Sequence, residues 1–280
     1  MHDNEPSRTA LAAAAYRAAH QTADGATVFA DPFARIVLGA DADAIMAKSE
    51  AADPAHRRMR MFIAARSRFA EDAIAQAVVR GVRQAVVLGA GLDTFALRNP
   101  HRGQGLRVIE ADHPATQAWK RKRLAEAGMA VPAWMTFAPT DLQREGLAPA
   151  LLDAGLQPGE PAFFHWLGVV PYLPRQAVAA TLQLIAGMPG SEVVFDYTEP
   201  LENYSEDRRA YVNEHAARVA AVGEPWVTYF DPAALSAELS ALGFGEQEDL
   251  GIADIAARYL GPLPRQAKNG PGPHLIRAKK

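Results

Sequence analysis

Apolar residues along this chain keep two different periods. Between residues 53 and 81 they recur at helical spacing, with Met59, Phe62, Ile63, Phe69, Ala70, Ala73, Ile74, Ala77 and Val78 on one face. Asp53 at the cap, Pro54 at the first helical position and Gly81 at the stop frame a helix between them. Arg66 falls inside that apolar stripe, where an unpaired guanidinium is expensive, so it is expected to point at an anion. Arg68, four residues before Asp72 on another face, is expected to form a surface pair. Beyond residue 83 the apolar runs shorten and become β-branched. Candidate strands at 84–88, 106–110, 135–138, 162–167, 192–197 and 274–278 alternate with helical stretches near 114–127, 147–154, 175–185, 201–222 and 232–242. Buried strands separated by helices are the pattern of a parallel sheet covered on both faces. Upstream, Ser7 is placed to cap an alanine-rich helix, and Asp31 with Pro32 to open a short helix, then a loop, within 30–45. Residues 1–6 are polar and expected to be mobile.

Composition narrows what such a fold can do. At 280 residues, 49% of them hydrophobic and 22% charged, the chain can bury a core without cross-links, and disorder and coiled coil are excluded. A net charge of -3 argues against nucleic acid as the partner. The chain has 0 cysteines, which excludes a disulfide framework, a thiolate zinc site and a cysteine nucleophile. No signal-peptide pattern opens the sequence, and no apolar run reaches the roughly 18 residues of a membrane span. A soluble, cytoplasmic protein with no membrane partner is expected. Neither HExxH nor a calcium loop is present, so no metal is expected. The G-x-S-x-G elbow of an α/β-hydrolase is also missing.

The chemistry gathers around QAVVLGAGLDT, a buried strand that runs into a glycine turn at Gly89 and Gly91. A dinucleotide fingerprint wants a third glycine at position 94, and Thr94 stands there instead. Asp93 puts a carboxylate beside the turn, which disfavours a phosphate and suits a ligand carrying an ammonium group. The alternative is that these glycines serve only the turn. Glu110, at the expected end of the next strand, and Asp112, two residues on, are each able to accept from a ribose diol. Asp112 and His113 equally suit a cap for the helix that Pro114 begins. Asp141, after the third strand, is placed to meet an adenine amine. The basic run KRKR at 120–123 reads as a solvated helix rather than a phosphate site, since consecutive helical residues point in different directions.

Several segments in order, AARSRFAED, VVLGAGLDTFALR, EADHPATQAWKRKRL, TDLQREGL and FFHWLGVVPYL, make residues 10–200 resemble the leucine carboxyl methyltransferase family. Within it the chain is most similar to bacterial S-adenosyl-L-methionine-dependent methyltransferases. The resemblance implies a Rossmann-like class I methyltransferase fold: a seven-stranded, mostly parallel sheet with helices on both faces and an added N-terminal helical lid. It implies a single domain over residues 1–280, with a helical cap at 1–52, a cofactor-binding core at 53–200, a lid insertion at 201–230 and the rest of the sheet at 231–280. It also implies S-adenosyl-L-methionine as cofactor, with Arg66 on the methionine carboxylate, Gly89 and Gly91 along the methionine and ribose, Asp112 on the ribose, and Asp141 and Leu142 on the adenine. Generic class I enzymes often have an acid where Val87 stands; the family variant places Asp93 after the glycines. Phosphatase-modifying members have a glutamate where Leu167 stands, so the resemblance favours a small-molecule acceptor here.

The expected activity is therefore methyl transfer to a carboxyl or hydroxyl oxygen of a small molecule, such as a secondary metabolite. An NAD-dependent oxidoreductase and a non-catalytic cofactor-binding protein are the alternatives. In-line transfer needs alignment above all, and only a hydroxyl acceptor benefits from a base. Open sheets bind substrate beyond the carboxyl ends of their strands. His165 and Tyr172 there are the catalytic candidates, and Trp166, Tyr197 and Tyr229 candidate pocket walls, with ordinary core as the competing reading for the aromatic residues.

Overall fold

The computed structural model describes residues 7–144, 146–221, 223–261 and 270–280; the expected mobility of residues 1–6 and the helical end at Val222 lie outside them. α1 (Arg8–Ala23) begins where Ser7 accepts the Ala10 amide. A five-residue helix, α2 (Ala42–Met46), follows later than expected. Asp31 accepts the Phe33 amide, as a cap would, but opens only a turn that runs on to a short 3-10 segment at Ile36–Leu38. α3 (Pro54–Val79) has the expected cap, with the Asp53 side chain accepting from Ala55. Next come β1 (Gln84–Leu88), α4 (Phe95–Arg98), β2 (Arg107–Asp112), α5 (Pro114–Glu126), β3 (Met135–Pro139), α6 (Leu147–Asp153) and β4 (Ala162–Trp166). The chain continues through α7 (Arg175–Ala186), β5 (Glu192–Thr198), α8 (Glu206–Ala221), α9 (Pro232–Ala241), β6 (Glu246–Leu250), α10 (Ile252–Ile255) and β7 (Pro273–Lys279).

The strands form one seven-stranded sheet in the order β3-β2-β1-β4-β5-β7-β6. β1 to β5 pair in parallel, and β7 runs antiparallel to both β5 and β6. The fold is Rossmann-like. β6 had no apolar run to announce it: EQEDL is an edge strand whose acids face water, and such strands are blunted with charge. Among the described residues, no helix is long and apolar enough to cross a membrane.

Alternation along the strands divides the core. Ala85, Val87, Val108, Phe163 and Val194 face one layer, where α1, α3 and α5 pack. Val86, Ile109, Phe164, Trp166, Phe195 and Tyr197 face the other, where α7 and α9 pack. Successive strand residues must point to opposite faces, so any polar group on the first face sits beneath α1, α3 or α5. Glu110, Val87, His165 and Val194 lie side by side across four strands on that face. Two residues further along, at the carboxyl ends, come Asp112, Gly89, Leu167 and Asp196. This second row is the floor of the candidate site.

Candidate active site

The glycine turn is held from three sides. Gly89 and Gly91 both have positive φ, +62° and +49°, which glycine adopts without strain. A side chain at Gly89 would strike Val169, and one at Gly91 would lie 3.0 Å from Ala10 of α1. Arg17 of α1 donates to the Leu92 carbonyl and to Asp31 (2.7 Å), which also accepts the Thr94 hydroxyl (2.6 Å). Lys120 donates to the Asp93 carbonyl at 2.6 Å. The turn is thus closely packed, with Val169 and Ala10 resting where side chains would otherwise stand.

Asp93 accepts the Phe95 amide at 2.7 Å, so the start of α4 already carries an anion. A pyrophosphate has no seat there, which removes the structural basis for the dinucleotide alternative. Burial would raise the pKa of Asp93, but its basic neighbours, His165 first and then Arg17, Lys120 and Arg98, outweigh it and hold the value at about 2. Asp112, at the end of β2, accepts the Gly91 amide with one oxygen and the His113 amide (2.6 Å) with the other. Burial raises its pKa against those bonds. A carboxylate has about four acceptor positions, so both oxygens keep capacity for a diol. The cap of α5 is His113, whose ring accepts from Ala115.

Glu110 does not share that position. β2 extends to Asp112, so Glu110 lies inside the strand, fully buried, with Lys120 donating to both its oxygens at 2.8 and 2.6 Å. Burial pushes its pKa up to about 7. The expected solvated helix at 120–123 is corrected with it. Lys120 is 1% exposed, Arg121 stacks over Phe137 at 4.1 Å, Arg123 lies over Trp119 at 4.5 Å, and Lys122 stands at the surface, 3.9 Å from Glu126. α5 lies along the sheet, so one of any four consecutive residues must face it.

Arg66 does point at an anion. Its Nη1 donates to Asp196 of β5 at 3.2 Å, and the side chain is 14% exposed. That is the one hydrogen bond recorded for its five donors among the described residues. The guanidinium lies against Gly168, where a Cβ would stand 2.7 Å from Nη2, and the adjacent Val169 covers Gly89. Arg66 and the glycine turn are therefore neighbours. Arg68 pairs with Asp72 at the surface, as expected.

His165 is buried, touches Phe95 edge-on at 6.2 Å and lies in the field of Asp93 and Arg66. Burial lowers its pKa, keeping the ring neutral. Tyr172 is half-buried near Trp226, Arg66, Glu224 and Asp196, and burial raises its pKa. These two candidates come together with Arg66. Two of the proposed pocket walls do not. Trp166 is fully buried on the opposite face of the sheet, against Phe195 at 5.9 Å. Tyr197 shares that face, stacks on His274 at 4.7 Å and donates to Asp249. Each follows from strand alternation: neighbours of His165 and Asp196 cannot face the same way. Tyr229 is half-buried in the segment that returns from α8, beside Thr228, whose hydroxyl donates to Leu173. Asp141 and Leu142 sit half-buried beyond β3, where Asp141 accepts the Gln143 amide.

Two site residues had escaped the sequence reading. Asp196 is an acid among Val193, Val194, Phe195 and Tyr197 in the middle of β5, on the same face as His165, and that parity was its signal. Glu224 accepts the Ser7 hydroxyl and the Arg8 and Thr9 amides, each at 3.1 Å, and also the Thr9 hydroxyl. It joins the segment after α8 to the start of α1, a contact across more than 200 residues with no local signature.

The sequence profile of the family described as leucine carboxyl methyltransferase matches residues 10–186. The chain belongs to the leucine carboxyl methyltransferase family. A Mycobacterium avium (strain 104) protein, provisionally named an S-adenosyl-L-methionine-dependent methyltransferase, is 31% identical over 95% of this chain and 92% of its own length. A Bacillus subtilis (strain 168) protein with the same provisional description is 33% identical over 68% of this chain; the chain spans 63% of that relative's length. In structure, the chain is similar to a Thermobifida fusca YX protein provisionally described as a methyltransferase. The TM-score is 0.60 at 14% identity, over 100% of this chain and 96% of that one, a likeness of fold alone. The family is one of S-adenosyl-L-methionine-dependent methyltransferases.

The donor set fits that cofactor. Gly89 and Gly91 form a turn without side chains, Arg66 suits a carboxylate, Asp112 a diol, and Asp141 an amine on an adenine.

Proposed function

We propose that this chain is an O-methyltransferase that uses S-adenosyl-L-methionine to methylate a carboxyl or hydroxyl oxygen of a small molecule. The observation that carries the proposal is Arg66, a largely buried guanidinium with one recorded hydrogen bond, joined to the glycine turn through Gly168 and Val169. A buried cation with unused donors is stabilised by a second anion, and a free amino acid end supplies one. In this reading Arg66 holds the cofactor's carboxylate, Gly89 and Gly91 its methionine and ribose portion, Asp112 the diol, and Asp141 with Leu142 the adenine. When bound, the cofactor supplies a methyl group on a positively charged sulfur. The protein's work is then alignment, which can be worth roughly 7–11 kcal/mol of barrier.

Tyr172, whose phenol stays protonated as its pKa is raised, donates to and orients the acceptor oxygen. His165, kept neutral by burial, takes the proton where the acceptor is a hydroxyl. A carboxylate acceptor arrives ionised and needs no base. Val227 and Thr228 donate to the Pro171 carbonyl, so the segment bearing Tyr229 roofs the Tyr172 loop and closes off water.

Calorimetry tests the proposal with S-adenosyl-L-methionine, S-adenosylhomocysteine and NADH against wild type and Arg66→Ala. Binding of both sulfur ligands, weakened at least tenfold by the substitution, and no binding of NADH are expected. Failure of both sulfur ligands to bind wild type overturns it in favour of a scaffold without this activity. With binding in hand, turnover against a panel of carboxylic acids and phenols separates the two acceptor chemistries.

A further inference from the structure

Arg66 is not waiting bare for its ligand. Asp196 lies between Phe195 and Tyr197, whose rings face the opposite layer, and is itself 6% exposed. Its two carboxylate oxygens accept one group each: the Gly168 amide at 2.5 Å and Arg66 Nη1 at 3.2 Å. A carboxylate buried at this depth is costly, and the strand would be more stable with another valine unless the charge serves something. Gly168, with φ +70°, lets the Nη edge of the guanidinium rest on backbone; a Cβ would stand 2.7 Å from Nη2 and 2.8 Å from Nη1. The Nη1–Nη2 fork is the part of an arginine that takes a carboxylate on two parallel bonds. One tooth of that fork already belongs to Asp196.

We infer that Asp196 is a positioning residue that competes with the cofactor's carboxylate for Arg66 and so limits how tightly cofactor and product are held. The inference rests on the reading of Arg66 given above. Asp196 does two things at once. It fixes the guanidinium over Gly168, ready to receive an anion, and it repels that anion through its own charge. Substrate cofactor and product carry the same amino acid end, so a seat built for maximal grip on one would also retain the other. An internal counter-ion weakens both equally and keeps Arg66 neutralised while the seat is empty. Asp196 touches neither the sulfur nor the acceptor in this scheme; it acts through Arg66 and through the turn at Gly168.

The test compares two ligands that differ at the amino acid end: S-adenosylhomocysteine, which has the carboxylate, and 5′-methylthioadenosine, which lacks it. Asp196→Asn removes the charge and keeps an oxygen for the Gly168 amide; Asp196→Ser does the same with a smaller group. Calorimetric Kd values are measured for wild type, both variants and Arg66→Ala, with circular dichroism to show which variants are folded. The expected result is that either folded Asp196 variant binds S-adenosylhomocysteine about tenfold more tightly, with slower release in stopped flow. Affinity for 5′-methylthioadenosine should stay within twofold. Unchanged or weaker binding of S-adenosylhomocysteine in a folded Asp196 variant overturns the inference, since a merely structural acid would give that. If instead Arg66→Ala binds S-adenosylhomocysteine as tightly as wild type does, the seat itself has been misassigned and the underlying reading of Arg66 fails.

Discussion

The two ends of this sheet are held together by different means. On the proposed cofactor side, from β3 to β4, the glycine turn rests on charges that are buried and satisfied, several of them by partners close in sequence as well as in space. Lys120 is 10 residues from Glu110, and Asp112 is 21 from Gly91. On the proposed acceptor side, from β5 to β6, joints between remote segments are gathered on single residues: Glu224, which takes four bonds from Ser7 and the start of α1, and His274, between Glu199 and Asp249. The difference teaches where variation is tolerated. A seat for an invariant cofactor can be locked by buried ion pairs whose rupture is severe. If the segment around α8 serves as the proposed lid, admitting an acceptor requires joints that open at small cost.

The severest break is expected beneath the glycine turn. Lys120→Met leaves Glu110 buried and unpaired, a change that typically costs about 3–5 kcal/mol. Glu110→Gln alone leaves the ammonium in the same position. The double variant removes both charges and should recover most of the loss, because a buried pair is often no more stable than apolar groups of similar volume. Urea unfolding of the four proteins checks this. If Lys120→Met were as stable as wild type, the contrast between the two sides would lose its main support.

Next in size is Gly89→Ala. A left-handed backbone costs an alanine about 1–3 kcal/mol, and the new methyl meets Val169. Since Val169 follows Gly168, the displacement passes toward Arg66. Affinity for S-adenosylhomocysteine should fall about tenfold, whereas Gly223→Ala, on the acceptor side with open space around it, should leave it unchanged. Calorimetry on both variants measures the contrast.

The same division explains how far the sequence could be read. The strands of the cofactor side were found to within two residues, because a buried parallel strand is apolar throughout and its glycine turn is short-range. Arg66 was found because a charge breaking a helical stripe is visible without knowing its partner. The partner was not visible. Asp196 becomes significant only when β5 is known to lie beside β4, and Glu224 only when the segment after α8 is seen on α1. Glu110 was misplaced by a two-residue error at the end of β2, which was enough to hide its partner Lys120 among neighbouring basic residues. β6 was missed because an edge strand needs no apolar face. Trp166 and Tyr197 were assigned to the pocket as aromatic residues near the carboxyl ends of their strands, but the pleat turns them to the face opposite His165 and Asp196.

A smaller effect is expected at the joint to α1. No acid stands in the first turn of that helix, so Glu224 is the carboxylate that satisfies its first amides. Glu224→Ala should cost about 1–2 kcal/mol, in the range of a lost helix cap. The loss should appear locally, because α8 is exposed along most of its length. Trypsin has exposed targets in it at Arg208, Arg209 and Arg218. Cleavage there should accelerate about fivefold or more, while 5′-methylthioadenosine affinity stays unchanged. Equal cleavage rates in both proteins would mean that Glu224 does not hold this segment down.

The mildest test uses pH and the joint at His274. Its ring donates toward Asp249 at 2.9 Å and Glu199 at 3.0 Å and stacks on Tyr197. Burial pulls its pKa down, but the two carboxylates prevail and the value is raised. A histidine whose native pKa exceeds its unfolded value, about 6.5, stabilises the fold fully below that value. The contribution is lost as pH rises through the native value. Tyr197 does not interfere, since burial and the neighbouring acids raise its own pKa and keep it protonated. Glu199 also accepts from Asn203 and from Gly272, so the ring steadies both the start of the segment leading to α8 and the entry to β7. The stability difference between wild type and His274→Gln should therefore be about 0.5–1 kcal/mol greater at pH 6 than at pH 9. Urea midpoints at the two pH values measure it. A difference that grew toward pH 9 would show the imidazolium to be a burden rather than a clasp, and that side would then lean on Glu224, the Glu192–Arg277 pair and the backbone contacts at Pro171.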